Sequence, residues 1–332
     1  MPIWEGLENE ALLRHFAPGE RDLLKAAAIT CREAGIDATY GVIPPAEALP
    51  SDEQTIVSGQ TRWLRRWEFE TPADLRNWRP EPFDPSAYAA QYRDSLQHHR
   101  AAFEPHTVYT DQAAGFGWVT SYGHRGLTTF LMALYDQLPA LERVWDYRSE
   151  LALIRNSVFA EQRCSPVTQF CEDVAFKGRL ICSPALLRDH FFPRAARVIA
   201  PLKRAGIKVV WHSDGDITPI IDLALDAGFD GIDPVEPTAG MDIAAIKRRY
   251  RGRLILVGNV DTHALAFGAP ADVERAVRDC ICAASPGGGH ILQAGAGELM
   301  PDVPLENCLA YLRAAHRHGR YPIALDPSGD TE

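Results

Sequence analysis

His212 combines residue type and position in a way that could do chemistry. It follows the apolar run Val209-Val210-Trp211 and stands two residues before Asp214. A neutral imidazole there can ligate zinc, act as acid or base, or simply hydrogen-bond a loop. Four other apolar runs end on polar, acid-bearing segments. Val167-Thr168-Gln169-Phe170 leads into Cys171-Glu172-Asp173, and Gly231-Ile232 into Asp233-Pro234-Val235-Glu236. Ile255-Leu256-Val257 leads into Gly258-Asn259-Val260-Asp261, and Ile291-Leu292-Gln293 is followed by Ala296-Gly297-Glu298. Each end taken alone also has a plain loop reading: Asp214-Gly215 as a turn, Asp233-Pro234 as a strand terminator, Asp261 as a helix cap, Glu236 and Glu298 as salt-bridge partners. Five such ends on one rim describe an acid-rich cavity of the kind that binds a metal, orients a cation or moves protons.

Such a rim requires parallel strands whose C-terminal ends converge. From about Val108 onward, short apolar runs alternate with longer amphipathic stretches, the pattern of repeated β-α units. The expected strands are Leu180 to Cys182, Val209 to Trp211, Gly231 to Asp233, Leu254 to Val257 and Ile291 to Gln293. Helices are expected between and after them: Pro193 to Ala205, Thr218 to Ala227, Ile243 to Tyr250, Val273 to Ala284 and Pro304 to His318. Pro304 suits a first turn and Gly319 a C-terminal stop. The spacing fits a (β/α)8 TIM-type barrel, with the remaining strands expected between about 38 and 173. A doubly wound sheet is the alternative, but no Gly-rich dinucleotide fingerprint follows a strand. Residues 1–100 read as an irregular N-terminal extension: a helix near Arg21 to Gly35, then a hairpin about Ser58-Gly59 whose Trp63, Trp67 and Phe69 alternate onto one face.

Composition narrows the function classes. With 332 residues, 46% of them hydrophobic, the chain can bury a large core. Its formal charge of -10, from 34 Lys+Arg against 44 Asp+Glu, gives no electrostatic reason to bind nucleic acid or an anionic membrane. No stretch approaches 18 uninterrupted apolar residues, and the first residues lack a basic segment followed by an apolar run. Seven cysteines spread thinly over the chain imply reduced thiols rather than a disulfide framework. The expectation is a cytoplasmic protein whose partners are small molecules or other proteins.

Three further motifs have plain structural readings. Pro286-Gly287-Gly288-Gly289 precedes a strand instead of opening a helix, so it reads as a turn and not a phosphate cradle. In the segment from Gly115 to Gly126, Trp118 and Tyr122 either line a substrate pocket or pack a glycine-punctuated core. Arg62, Arg65 and Arg66 suit a solvated strand edge better than a carboxylate grip.

His212-Ser213-Asp214-Gly215, Ala227-Gly228-Phe229-Asp230-Gly231-Ile232-Asp233-Pro234-Val235-Glu236-Pro237 and Gly240-Met241-Asp242 together resemble the signature stretch of the uroporphyrinogen decarboxylase superfamily. Gly258-Asn259-Val260-Asp261, Pro286-Gly287-Gly288-Gly289-His290 and Pro304-Leu305-Glu306-Asn307 continue it, and the resemblance covers residues 165–323 of a single domain spanning 1–332. The superfamily includes a cofactor-free decarboxylase of haem synthesis and methyltransferases working with corrinoid proteins, coenzyme M or related thiols. The decarboxylase's arginine-rich substrate motif and Ser-Asp-Ile-Leu type segment are absent, and its Gly-His-Gly histidine falls on Ala296. The methyltransferases hold zinc with a His-x-Cys pair and a distant Cys. Here His212 is kept, Asp214 replaces the first Cys, and Ala296 falls near the second.

The resemblance therefore implies a methyltransferase moving a methyl group between a small methoxylated or methylated substrate and a corrinoid carried by a partner protein. His212 and Asp214 are the expected zinc ligands, and harder oxygen donors favour activating water, alcohol or ether oxygen over a thiolate. His212, Asp214, Glu236 and Glu298 are the expected catalytic residues; Asp233, Asn259, Asp173, Trp118 and Tyr122 the expected substrate contacts. The rival readings are a metal-free decarboxylase or lyase on the same barrel, and a binding protein whose site has decayed.

Overall fold

Strand pairing closes eight parallel segments into a ring in this computed structural model. It describes residues 1–42, 69, 71–118, 127–295 and 297–323, apart from position 296, and the backbone alone at 55–58, 61–64 and 123–126. Gln112–Ala113, Val167–Cys171, Lys208–His212, Gly231–Asp233, Ile255–Val257 and His290–Ile291 form one six-stranded sheet in that order, all parallel. Two further segments join its edges. Ile3 bridges Leu292 and Trp4 bridges Ala38, while Ala38 and Thr39 pair in parallel with Val108 and Tyr109. Val108–Tyr109 runs on into Gln112–Ala113, so the ring returns to its start.

The alternation along Lys208–His212 shows how the sequence sorts this architecture. Val209 and Trp211 point outward into the helical layer, where Trp211 stacks on Phe229 at 5.5 Å between ring centres. Val210 points inward, into a small apolar cluster with Trp4 and Val257, and His212, two residues on, faces inward at the strand's end. The inner cluster seals the barrel beneath the rim. The larger core lies between barrel and helices, as expected of a barrel that is packed rather than hollow.

The helices follow their local signals. Asp22 caps Leu23–Ala34, and Gly35 ends it in the left-handed region at φ 67°. Pro270–Ala284 and Leu305–His318 carry proline at or beside their starts. Thr55–Ser58 and Thr61–Leu64 pair as an antiparallel hairpin, as the turn signal predicts. Residues 65–67, with Trp67, Arg65 and Arg66, lie outside the described residues, as do the side chains of Trp63 and Arg62, and with them most of the aromatic face. Phe69 is buried, edge-on to Trp78.

Two strand expectations are corrected. The first barrel strand comes from 3–7, well before residue 38, so the start of the chain is part of the ring. And Leu180 to Cys182 is no barrel strand: Arg179–Leu180 pairs only with Ala175–Phe176, in an antiparallel hairpin about Lys177-Gly178. The chain there turns straight into a helix at Ser183-Pro184, leaving no length to cross the barrel. The barrel strand of this region is Val167–Cys171.

Candidate active site

His212 is register partner to Cys171 on one side and Asp233 on the other. Its Nδ1 lies 2.9 Å from Asp233 Oδ2. The same carboxylate oxygen accepts a short hydrogen bond from the Gln169 amide, and Gln169 Oε1 accepts from Gln112 Nε2 at 3.0 Å. This amide-to-carboxylate chain fixes Asp233, and Asp233 fixes the ring, so that Nδ1 carries the proton and Nε2 is directed to the opposite side. Nε2 faces two more carboxylates, 3.8 Å from Asp214 Oδ1 and 4.0 Å from Asp173 Oδ1. The Asp214 backbone N–H donates to Asp173 Oδ1 at 2.9 Å, tying the two strand-end loops together.

The loop after His212 is held by its neighbours. Gly215, at φ 84°, sits where a Cβ would come within 2.6 Å of the Phe176 backbone nitrogen, so only glycine lets the loop lie against the Ala175–Phe176 hairpin. Gly215 N–H donates to Glu236 Oε2 at 3.0 Å, and the Thr238 hydroxyl donates to Glu236 Oε1 at 2.5 Å. On the far side of the ring Tyr40 donates to Glu298 Oε2 at 2.5 Å and approaches the Gly297 carbonyl at 2.7 Å. A Cβ on Gly297 would lie 3.8 Å from His212 Cε1, so the Glu298 segment passes beside the imidazole.

Electrostatics separate these groups. Burial opposes an imidazolium at His212, but Cys171, the Asp233 hydrogen bond and charge, and Asp173 together outweigh it and raise its pKa well above the ordinary range. Burial, then the charges of Glu8 and Asp233, bring Glu298 to about 7 against the opposing pull of Tyr40 and His212. Partial burial of its carboxylate, with Asp173, Glu236 and Asp233 nearby, brings Asp214 to about 6, a shift that solvent screens in part because 58% of its side chain is exposed.

Asp173, His212 and Asp214 each offer a ligand atom within 4.8 Å of the others. One imidazole nitrogen with two carboxylate oxygens, the imidazole oriented by a further carboxylate, fits a zinc-type ion with a position left for substrate. The sequence reading places His212 and Asp214 in this role; the geometry adds Asp173, which that reading treats as a substrate contact. Asn259 donates through Nδ2 to the Val235 carbonyl at 2.9 Å, and Glu236 binds the 215 loop, so the visible bonds of both shape the rim. Asp261 caps Thr262–Phe267, the plain reading of that residue. Trp118 corrects the pocket expectation: it is fully buried, stacked on Trp145 at 4.6 Å and ringed by Phe116, Phe130 and Phe191, which makes it a core residue. Tyr122 and Ala296 lie outside the described residues. Sequence reasoning missed Gln112, Gln169 and Tyr40; the available signal for Gln169 was an amide at an inward position of a strand otherwise facing an apolar interior.

The uroporphyrinogen decarboxylase (URO-D) family model matches residues 122–318, and the chain belongs to that family. Uroporphyrinogen decarboxylases of Edwardsiella ictaluri and Sodalis glossinidius are each 38% identical over 76 residues, 23% of this chain and 21% of theirs. The match thus spans about a fifth of the length of those curated relatives. A methyltransferase from Methanosarcina mazei superposes with a TM-score of 0.71 at 19% identity, covering 96% of this chain and 94% of that one. At that identity the likeness establishes the TIM-barrel fold alone. Among the described residues no helix is long and apolar enough to cross a membrane.

Proposed function

We propose that the chain is a methyltransferase of the URO-D superfamily that moves a methyl group between a small methoxylated or methylated substrate and a corrinoid carried by a partner protein in the cytoplasm. The observation that carries this reading is the His212 ring, held through Nδ1 by Asp233 with Nε2 turned toward Asp173 and Asp214. These three residues would hold zinc, whose chemistry when bound is to polarise the heteroatom that bears the methyl group. Glu298, with a pKa of about 7, would donate a proton to the departing oxygen as the carbon–oxygen bond breaks and the methyl passes to the acceptor. Tyr40 keeps that carboxyl in place. The Methanosarcina mazei neighbour, a methyltransferase, supports the choice of branch.

A metal-free decarboxylase or lyase is the second reading, favoured by the same pair of carboxylates, Asp214 and Glu298, which titrate near neutrality close to His212. One pair of assays separates the two. Zinc-loaded protein, supplied with a methoxylated aromatic substrate and a reduced corrinoid, should release the demethylated alcohol, and uroporphyrinogen offered anaerobically should not turn over. Uroporphyrinogen turnover at about 1 per second or faster, with no demethylation of any methylated substrate, would reverse the assignment.

A further inference from the structure

Several exposed arginines of this chain sit beside acids, among them Arg14 with Glu10, Arg197 with Glu150, Arg249 with Asp222 and Arg317 with Glu274. Arg76, Arg79 and Arg143 are gathered beside one another instead. Together with Trp78 they line a surface cavity of about 600 Å³. Arg79 Nη1 and Arg143 Nη2 both donate to one acceptor, the Arg76 carbonyl, at 3.2 and 3.3 Å. Two guanidinium groups therefore converge on a single oxygen, which brings like charges close together. The third arginine is held at the same place: Gln137, with its amide turned to satisfy both neighbours, accepts from Arg76 Nη1 at 2.8 Å and donates to the Pro72 carbonyl at 2.8 Å.

None of the three arginines makes an ion pair among the described residues. Their remaining visible bonds go to the Trp78 carbonyl at 2.8 Å and the Pro139 carbonyl at 3.3 Å. Asp136 also borders the cavity without pairing to them. Carbonyl capping of the short helix Pro72–Asn77 accounts for the bonds to the Arg76 and Trp78 carbonyls. It does not account for three unneutralised cations gathered on a chain of net charge -10. Each guanidinium has five N–H donors, and most of them are left for the cavity.

The location is also informative. Arg143 lies in the second turn of Leu138–Gln162, the helix that feeds Val167–Cys171. At about 1.5 Å per residue this helix runs about 37 Å, and it ends at the base of that strand. Its start, with the arginines, therefore lies toward the C-terminal end of the barrel, the end that carries His212.

We infer that Arg76, Arg79 and Arg143 form an oxyanion-binding site for a phosphate-type group, separate from the His212 centre. Guanidinium forks match the planar edges of such anions with paired, charge-assisted hydrogen bonds. A divalent anion between them would cancel the repulsion that the Arg76 carbonyl offsets only in part.

Calorimetric titration in about 0.1 M chloride, which screens non-specific attraction, tests this with two probes, inorganic phosphate and glycerol phosphate. Saturable binding of either is expected, weakened at least tenfold in the Arg76→Gln/Arg79→Gln/Arg143→Gln variant and less in Arg143→Gln alone. Tighter binding of glycerol phosphate would mark the site for a phosphorylated organic molecule, and equal binding for the free ion. All three side chains are exposed, so the variants should keep the wild-type circular dichroism spectrum and melting temperature. No saturable binding of either probe, or unchanged affinity in the triple variant, would overturn the inference.

Discussion

Two histidines sit at opposite ends of the same barrel, His290 buried and His212 with 12% of its side chain exposed. His290 begins the strand His290–Ile291 at the N-terminal end. Its Nδ1 accepts from the Ser285 hydroxyl at 2.6 Å and its Nε2 donates to the Gly258 carbonyl at 2.7 Å, so both nitrogens of the neutral ring are used. Burial lowers its pKa to about 4. His212 ends its strand at the other rim, with one nitrogen satisfied by Asp233 and the other facing two carboxylates, and its pKa is raised. Both rings are largely shielded from solvent, so shielding alone does not mark a functional histidine. What separates them is whether the second nitrogen is already bonded, and which end of the barrel the ring occupies.

The largest expected effect belongs to the structural ring. His290→Ala should cost about 2–4 kcal/mol, from a Ser285 hydroxyl and a Gly258 carbonyl left with only sulfur partners, Met1 and Cys280, plus lost packing, while metal affinity stays at the wild-type value. Urea melts and zinc titration of the variant check both halves. The sign of the pH dependence follows from the lowered pKa. The unfolded chain takes up a proton near 6.5 and the folded chain only near 4, so the stability due to His290 is complete above about 6.5 and is lost as pH falls to 4. The loss is about 3 kcal/mol over that window, and denaturation midpoints measured from pH 7 to 4 should fall more steeply in the wild type than in His290→Gln.

Glu298 should respond in the opposite sense. Its pKa is raised to about 7, so its proton is present below that pH and is lost above it. Turnover should decline as pH rises through 7, and Glu298→Gln should lower it about 100-fold and flatten that limb. A variant that keeps the limb would assign the proton to another group. A smaller effect is expected at Gln169, which touches neither metal nor substrate in the proposed reaction. Gln169→Leu should weaken zinc binding by about tenfold or more through the loosened Asp233 and His212, with Gln169→Glu a control for the loss of amide donation. Equal zinc affinity in all three proteins would remove Gln169 from the site.

This contrast explains what was legible in the chain. His212 and Asp233 could be read because each ends an apolar run, and the strands that carry them are buried on both sides and so stand out as continuous hydrophobic segments. Ile3 and Trp4 carry no strand signal because their strand is short and joins the ring through single bridges to Leu292 and Ala38, pairings almost 300 residues apart in one case. Leu180 to Cys182 carried the apolar signal without the length. Trp118 could not be placed, since aromatics near glycine suit a pocket and a core equally, and only its four aromatic neighbours decide. Asp173 reads as a rim residue, but its position across from His212 Nε2 depends on the neighbouring strand's register, which spacing along the chain does not encode.

The central claim is that the His212 imidazole, unlike that of His290, is held ready for a ligand by Asp233. Isothermal titration of metal-depleted protein with zinc tests it most directly, with His212→Ala and His290→Ala alongside. The account predicts one zinc per chain in the wild type and in folded His290→Ala, and at least a thousandfold weaker binding in His212→Ala. A wild-type protein that takes up no zinc, or a His212→Ala variant that binds it as tightly as the wild type, would contradict the claim.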